Sequence, residues 1–237
     1  MLYFQQTLGA IVRTLARVLL QREWAFVYSR VDELIAFHQN HPQLVPPLVV
    51  QHVLVSGEDH RHGCHPGFDI YAISRAIFRY FINGRREGAS TIEQQIVRVV
   101  TNRFEFTLRR KLREIMLASL IAAHFPKSVS PLVYLTIGYY GWQMNNYTQV
   151  CHRLRFQPNN LSLDEAAAIV ARLKYPEPRM SPPQRFMQIE QRMKYLKRRY
   201  WNHVADGTYD HLGIARYGSA FGGSKKLTKT VIPVPFA

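Results

Sequence analysis

A chain of 237 residues fits one large domain or two small ones, and its 47% hydrophobic and 20% charged residues exclude wholesale disorder. Lys and Arg number 31 against 16 Asp and Glu, a formal net charge of +15, so the surface suits a polyanion: nucleic acid, an anionic bilayer or a phosphorylated substrate. Two cysteines, Cys64 and Cys151, exclude a disulfide framework and say little about compartment.

At the N-terminus Leu8, Ile11, Val12, Leu15, Val18 and Leu19 recur at helical spacing, with Arg13, Thr14 and Arg17 on another face. The pattern predicts an amphipathic helix that either lies on a membrane surface or packs on the domain. Arg13 and Arg17 interrupt what would be the apolar region of a signal peptide. Pro42, Pro46 and Pro47 close this first helical region, 1–45. From there to about residue 200 the apolar spacing is helical. Leu108, Leu112, Ile115, Met116, Ser119, Leu120 and Ala123 form one face of a helix that Pro126 stops.

No segment reads as a transmembrane helix. The charge-free stretch 128–152 is interrupted by Pro131, Gln143, Asn145, Asn146 and Gln149, and its apolar part is shorter than the ~20 residues a span needs. Ser162, with Glu165 three residues on, forms a capping box that opens a helix over 163–174. Pro176, Pro178, Pro182 and Pro183 make a rigid loop. A strongly basic helix follows over 184–201, carrying Arg185, Arg192, Lys194, Lys197, Arg198 and Arg199. Beyond Ala205 the composition turns to Gly, Ser and Lys, a polar tail over 206–237. The expectation is an all-α fold with one domain over 1–205, its motif-bearing core spanning 46–205.

Three segments carry chemistry. The first, GEDHRHGCHPGFD over 57–69, follows the apolar run Val53, Leu54 and Val55. A carboxylate there, Glu58, can sit at a cleft wall where burial brings it toward the range of a general base; a helix-end acidic pair with Asp59 is the plainer account. His60, His62, Cys64 and His65 are all zinc-ligand types. Four ligands within six residues rarely close a tetrahedron, and no second cluster matches them, so no metal site is expected.

The second segment is GASTIEQQIVR over 88–98. Ser90 or Thr91 caps a helix on which Thr91, Gln95 and Arg98 are spaced to share one face, a row suited to a phosphate or a sugar. A capped amphipathic helix built on Ser90 and Glu93 explains it equally well. The third, RRKLRE over 109–114, sets Arg110 and Lys111 one helical turn before Glu114. That is either a surface ion-pair set or a basic fork for a pyrophosphate leaving group.

In order and spacing these segments resemble the signature motifs of the peptidoglycan glycosyltransferases, glycosyltransferase family 51. Glu58, Asp59, His65, Gly67 and Asp69 match the first motif. Gly88, Ser90, Thr91, Gln94 and Gln95 match the second, and Arg110, Lys111 and Glu114 the third. Lys127, Tyr134, Leu135 and the triplet Tyr139, Tyr140 and Gly141 fit a looser fourth, and 161–168 with Ser181 and Pro182 the fifth. The resemblance runs from about Val45 to Leu196. The chain departs from the pattern at His62, where the family has an aromatic, at Ala89 and Arg98, which replace Gly and Lys, and at Val99 and Thr136, which replace asparagines.

The resemblance implies a lysozyme-like helical domain with a large lobe and a small membrane-facing lobe, placed here at 69–83, where core packing is the alternative for Ile77, Phe78, Tyr80, Phe81 and Ile82. It implies polymerisation of a polyprenyl-pyrophosphate-linked disaccharide of the lipid II type, with inversion. Glu58 would be the base. Arg98, Arg110 and Lys111 would meet the pyrophosphate, and Glu114 would orient that fork or a divalent cation. Asp59 and His65 would shape the Glu58 site, and Ser90, Thr91 and Gln95 would contact substrate. The two glutamates are expected to face across one groove.

No redox or nucleotide cofactor is called for. The implied location is the extracytoplasmic face of a bacterial inner membrane, with the membrane surface and other cell-wall synthesis proteins as partners and no nucleic acid. Two rivals stay open on the sequence. One is a relative that binds lipid-linked saccharide without turnover. The other is a basic nucleic-acid-binding protein, which leaves the five ordered motifs unexplained; a glycan hydrolase is a lesser variant.

Overall fold

The computed structural model describes residues 2–84 and 87–212. Ten α-helices follow in order: α1 Leu2–Leu19, α2 Gln21–Asn40, α3 Leu48–Glu58, α4 Ile70–Asn83, α5 Ile92–Val100, α6 Leu108–His124, α7 Val129–Ile137, α8 Tyr147–Leu154, α9 Leu163–Lys174 and α10 Pro183–Ala205. Among the described residues there is no strand; two isolated bridges pin Gly141 to Met144 and Glu177. The expected all-α class is what the chain adopts.

Local chemistry sets many of the helix ends. Ser162 and Glu165 close the capping box of α9, and α6 ends before Pro126. Asp69 caps α4 by accepting from the Tyr71 amide, and Gly84 ends that helix in the left-handed conformation at φ 60°.

The core forms around α3, an apolar helix packed against α7, α9 and α10. Val50, Val53, Leu54 and Val55 are fully enclosed, each worth roughly 1.5–3 kcal/mol of burial. Residues 166–172 of α9 are all buried, and four alanines there let neighbouring backbones come close. Truncating Leu54 to Ala would cost about 2–5 kcal/mol through the cavity it leaves.

Two amphipathic faces turn outward. Helix α1 packs on α6 with a small-residue side, where Gly9 faces Pro66 and Ala16 is buried, while Gln5 donates to the Phe68 carbonyl at 3.0 Å. Its apolar stripe of Ile11, Leu15, Val18 and Leu19 is exposed. Helix α1 therefore packs on the domain and also keeps its apolar stripe in solvent. Helix α4 buries no residue at all: Ile77, Phe78, Tyr80, Phe81 and Ile82 lie open, Phe81 at 80% exposure. Core packing of this segment is thereby overturned.

The basic helix extends four residues past the expected end. The tail drawn over 206–237 lies outside the described residues from 213 onward. Its first part, 206–212, is folded onto the domain, with Tyr209 and Leu212 buried.

Candidate functional site

Glu58 is the last residue of α3, and the chain turns away immediately after it. The Asp59 amide donates to Val55, and the His62 amide returns to the Asp59 carbonyl at 2.9 Å. The turn then crosses α6 at Gly67, whose φ of 91° and 2.2 Å separation between a would-be Cβ and the Ala118 carbonyl oxygen leave no room for a side chain. Gly67 donates its amide to His65 Nδ1, so the Nε2 proton of His65 points to Asp59 at 3.0 Å. Asp59 also accepts from the Ile92 amide at the start of α5. Burial pushes the Asp59 pKa up, but His65, through charge and hydrogen bond, and His62 outweigh that and hold it below the usual carboxylate value. Asp59 and His65 thus tie the Glu58 turn to α5.

Helix α5 carries a row of contacts between the two glutamates. Gln95 donates to Glu58 Oε2 at 3.3 Å, and one turn on Arg98 Nε donates to Glu114 Oε1 at 2.9 Å. Arg110 also pairs with Glu114, and Lys111 Nζ lies 3.6 Å from its second oxygen. Lys111 in addition donates to Ser90 Oγ at 2.8 Å, and Arg98 reaches the same hydroxyl. Burial lowers the Lys111 pKa, partly offset by Glu114. Tyr134 of α7 lies near both Glu58 and Arg98; burial, then the Glu58 charge, pushes its phenol well up.

Several expectations change. Thr91 caps α5, and its hydroxyl donates to the Gly67 carbonyl at 2.7 Å and accepts from the Gln94 amide, so that hydroxyl is engaged within the protein. Ser90 does not cap. Glu93 is no capping-box partner either: it is fully buried, held by Lys127 at 2.6 Å and His62 at 3.1 Å. Burial would raise its pKa, yet Lys127 and His62 keep it well below normal.

The Arg110, Lys111 and Glu114 group is a buried cluster and no surface pair set, because α6 packs this turn against α5. Glu58 lines a cavity with Asp59, Arg61, Arg75, Ser90 and Thr91. Glu114 lines another, of about 310 Å³, with Arg22, Arg103, Arg110 and Arg113. Each glutamate thus lines a cavity of its own, and the contacts along α5 run between them. Ser90, on the wall of the first, touches the cations that hold Glu114. Three cations around one carboxylate hold it inside this turn.

Sequence reasoning missed Arg192. From α10, 134 residues away, its Nη2 donates to Glu58 Oε1 at 2.9 Å and to the Gly57 carbonyl at 2.8 Å. Only the repeated basic residues of that helix hinted at it, and they did not single it out.

The four zinc-ligand types of the turn do not converge. His60 stacks on His203, Cys64 is exposed, His62 bridges Glu93 and His211, and His65 serves Asp59. Among the described residues, the group with donor atoms close enough for an ion is Asp59, His65 and Glu93, within 4.8 Å. Its donor atoms are already engaged, since His65 presents a proton to Asp59 and the Lys127 ammonium sits on Glu93.

Residues 33–200 match the Transglycosylase family. The chain is 28% identical over 183 residues to penicillin-binding protein 1A of Rickettsia prowazekii, covering 72% of this chain and 23% of that protein. It is 25% identical over 175 residues to penicillin-binding protein 1F of Bacillus subtilis, covering 71% and 24%. To a monofunctional glycosyltransferase of Staphylococcus epidermidis it is 33% identical over 102 residues, covering 43% and 37%. It thus spans well under half the length of each of these relatives. Matched from α2 to α10, with motif residues brought together along α5, the chain belongs to the transglycosylase family.

Proposed function

We infer that the chain is a peptidoglycan glycosyltransferase that polymerises a polyprenyl-pyrophosphate-linked disaccharide into glycan strands. The observation that carries this reading is the row along α5: Gln95 on the Glu58 carboxylate and, one turn on, Arg98 in a three-cation cluster.

A sugar acceptor presented to the open side of Glu58 places its hydroxyl against the carboxylate. As the hydroxyl oxygen attacks the donor anomeric carbon from the face opposite the pyrophosphate, its proton passes to Glu58 and the carbon–oxygen bond to pyrophosphate breaks. The configuration inverts. The leaving charge is met by Arg98 and Lys111, whose side chains are 29% and 28% exposed beside Ser90. Arg110, more deeply buried, holds Glu114 and fixes the other two cations. Both Glu58 oxygens are oriented before substrate arrives, one by Gln95 and one by Arg192. The proton is then released to water.

Lipid-linked substrate brings the chain to a membrane. No described helix is long and apolar enough to cross one. The open apolar faces of α4 and α1, with Arg75, Arg79, Arg13 and Arg17 nearby, suit the interface of an anionic bilayer. We propose that the chain acts at the extracytoplasmic face of a bacterial inner membrane, beside other cell-wall synthesis proteins. Incubation with lipid-linked disaccharide pyrophosphate, followed by separation of polymer from monomer, tests the reading. Polymer is expected from the native chain and none from Glu58→Gln; absence of polymer from both would overturn it.

A further inference from the structure

The family match ends at residue 200, yet the chain folds back onto the Glu58 turn after that point. Tyr209 stacks on His52 of α3 at 4.2 Å with nearly parallel rings, and its hydroxyl bonds Ser56. His203 Nδ1 meets the same Ser56 hydroxyl at 2.9 Å. Ser56 lies two residues before Glu58. Leu212, 2% exposed, anchors the end of the segment.

His211 reaches furthest. Its Nε2 lies 2.9 Å from His62 Nδ1, and its ring covers Gly63 so closely that a Cβ there would come within 2.8 Å. His62 in turn meets Glu93, which Lys127 anchors. The proton count makes the contact directional. Glu93, ion-paired with Lys127, is a carboxylate and only accepts, so His62 Nε2 carries a proton. Nδ1 of a neutral His62 is then bare and accepts from His211 Nε2–H. The His62 backbone amide is also the donor that closes the turn on Asp59. A push on His62 therefore reaches the residue next to Glu58 through a single hydrogen bond.

We propose that His211, acting through His62, is a positioning residue for Glu58, and that the segment 203–212 is a brace built onto the back of the active site. Nothing in this segment lines the Glu58 cavity, so the role is exerted on geometry and not on substrate. The inference rests on the reading of Glu58 as the base, and deepens it. Misplacing a reacting group by about 1 Å can cost up to ~10²-fold in rate, so a brace two contacts away has leverage on turnover without touching the chemistry.

The test compares His211→Phe, His211→Gln, His62→Phe and the double variant His62→Phe/His211→Phe in the full chain. Gln can present a donor near the Nε2 position; Phe keeps the ring and loses the bond. His211→Phe is expected to lower kcat roughly tenfold with KM near that of the native chain, and Gln to restore most of the loss. The double variant should be no slower than the worse single variant, because both remove the same contact. Amide hydrogen exchange supplies a readout independent of turnover: His211→Phe should quicken exchange across 59–67 and leave α9 unchanged. Native-like kcat and native-like exchange in His211→Phe would overturn the brace. So would a kcat loss that Gln fails to restore, or one that adds in full in the double variant. Should the native chain make no polymer, the reading of Glu58 falls, and the exchange measurement still decides whether His211 holds the turn.

Discussion

Glu58 and Glu114 are both glutamates at the edge of a cavity, and the structure treats them in opposite ways. Glu58 keeps 18% of its side chain exposed, with one guanidinium and one amide on its oxygens. Glu114 keeps 2% and is enclosed by Arg98, Arg110 and Lys111. A carboxylate with few partners and an open side can receive a proton from a ligand. One saturated by three cations cannot approach a hydroxyl; it holds the cations in place. The difference teaches that equal residue types in equally recognisable motifs divide into a reacting group and an organising one by the number of charges packed around them.

The comparison breaks most sharply at Glu58. Glu58→Gln should abolish most polymerisation, about 10²–10⁴-fold, while the thermal midpoint stays close to native, because general-base removal acts on the reaction and not on packing. Polymer assays alongside a melting curve check both halves; turnover surviving at near-native rate would move the base elsewhere.

Glu114 should show the reverse emphasis. Glu114→Ala leaves three cations facing one another in a buried turn and is expected to cost about 3–5 kcal/mol of stability, read by denaturant unfolding. A stability close to native would mean that the cations relax into solvent and that Glu114 organises nothing.

Arg192 sharpens the contrast, since among the described residues it alone gives Glu58 an ion-pair partner. Arg192→Met should lower kcat ~10-fold, about 1.4 kcal/mol of barrier, by freeing the carboxylate to rotate. A faster variant would instead identify Arg192 as a restraint on the base.

The smallest effect is set by pH. Burial, then Arg199, lowers His203 to about 4, and burial, then His62, lowers His211 to about 4. Unfolded histidine titrates near 6.5, so between ~6.5 and ~4 the unfolded chain binds more protons. The stability these groups contribute is whole above about 6.5 and is lost as pH falls through about 4. Both groups lie on the Glu58 side. Hydrogen exchange measured from pH 7 to pH 4 should therefore rise first in 56–65 and only later around Glu114. Simultaneous loosening of both sites would erase the distinction.

What the sequence determined by itself was local. The capping pair Ser162 and Glu165 and the stop at Pro126 act within a few residues, so spacing alone exposes them. The motif residues were legible for the same reason, as sets on single helices: Gln95 and Arg98, or Arg110, Lys111 and Glu114. Direction was not legible. The Thr91 hydroxyl turns inward because the Gly67 carbonyl is there to receive it, and the apolar stripe of α1 faces out because Gly9 and Ala16 let the helix approach its neighbours more closely on the other side. Only tertiary structure decided the partners across long separations. Arg192 reaches Glu58 over 134 residues and His211 reaches His62 over 149, and neither pairing leaves a trace in local pattern. The physical reason is that a side chain's periodicity records which face of its helix it occupies, whereas its ion-pair partner depends on which other helix is packed against that face.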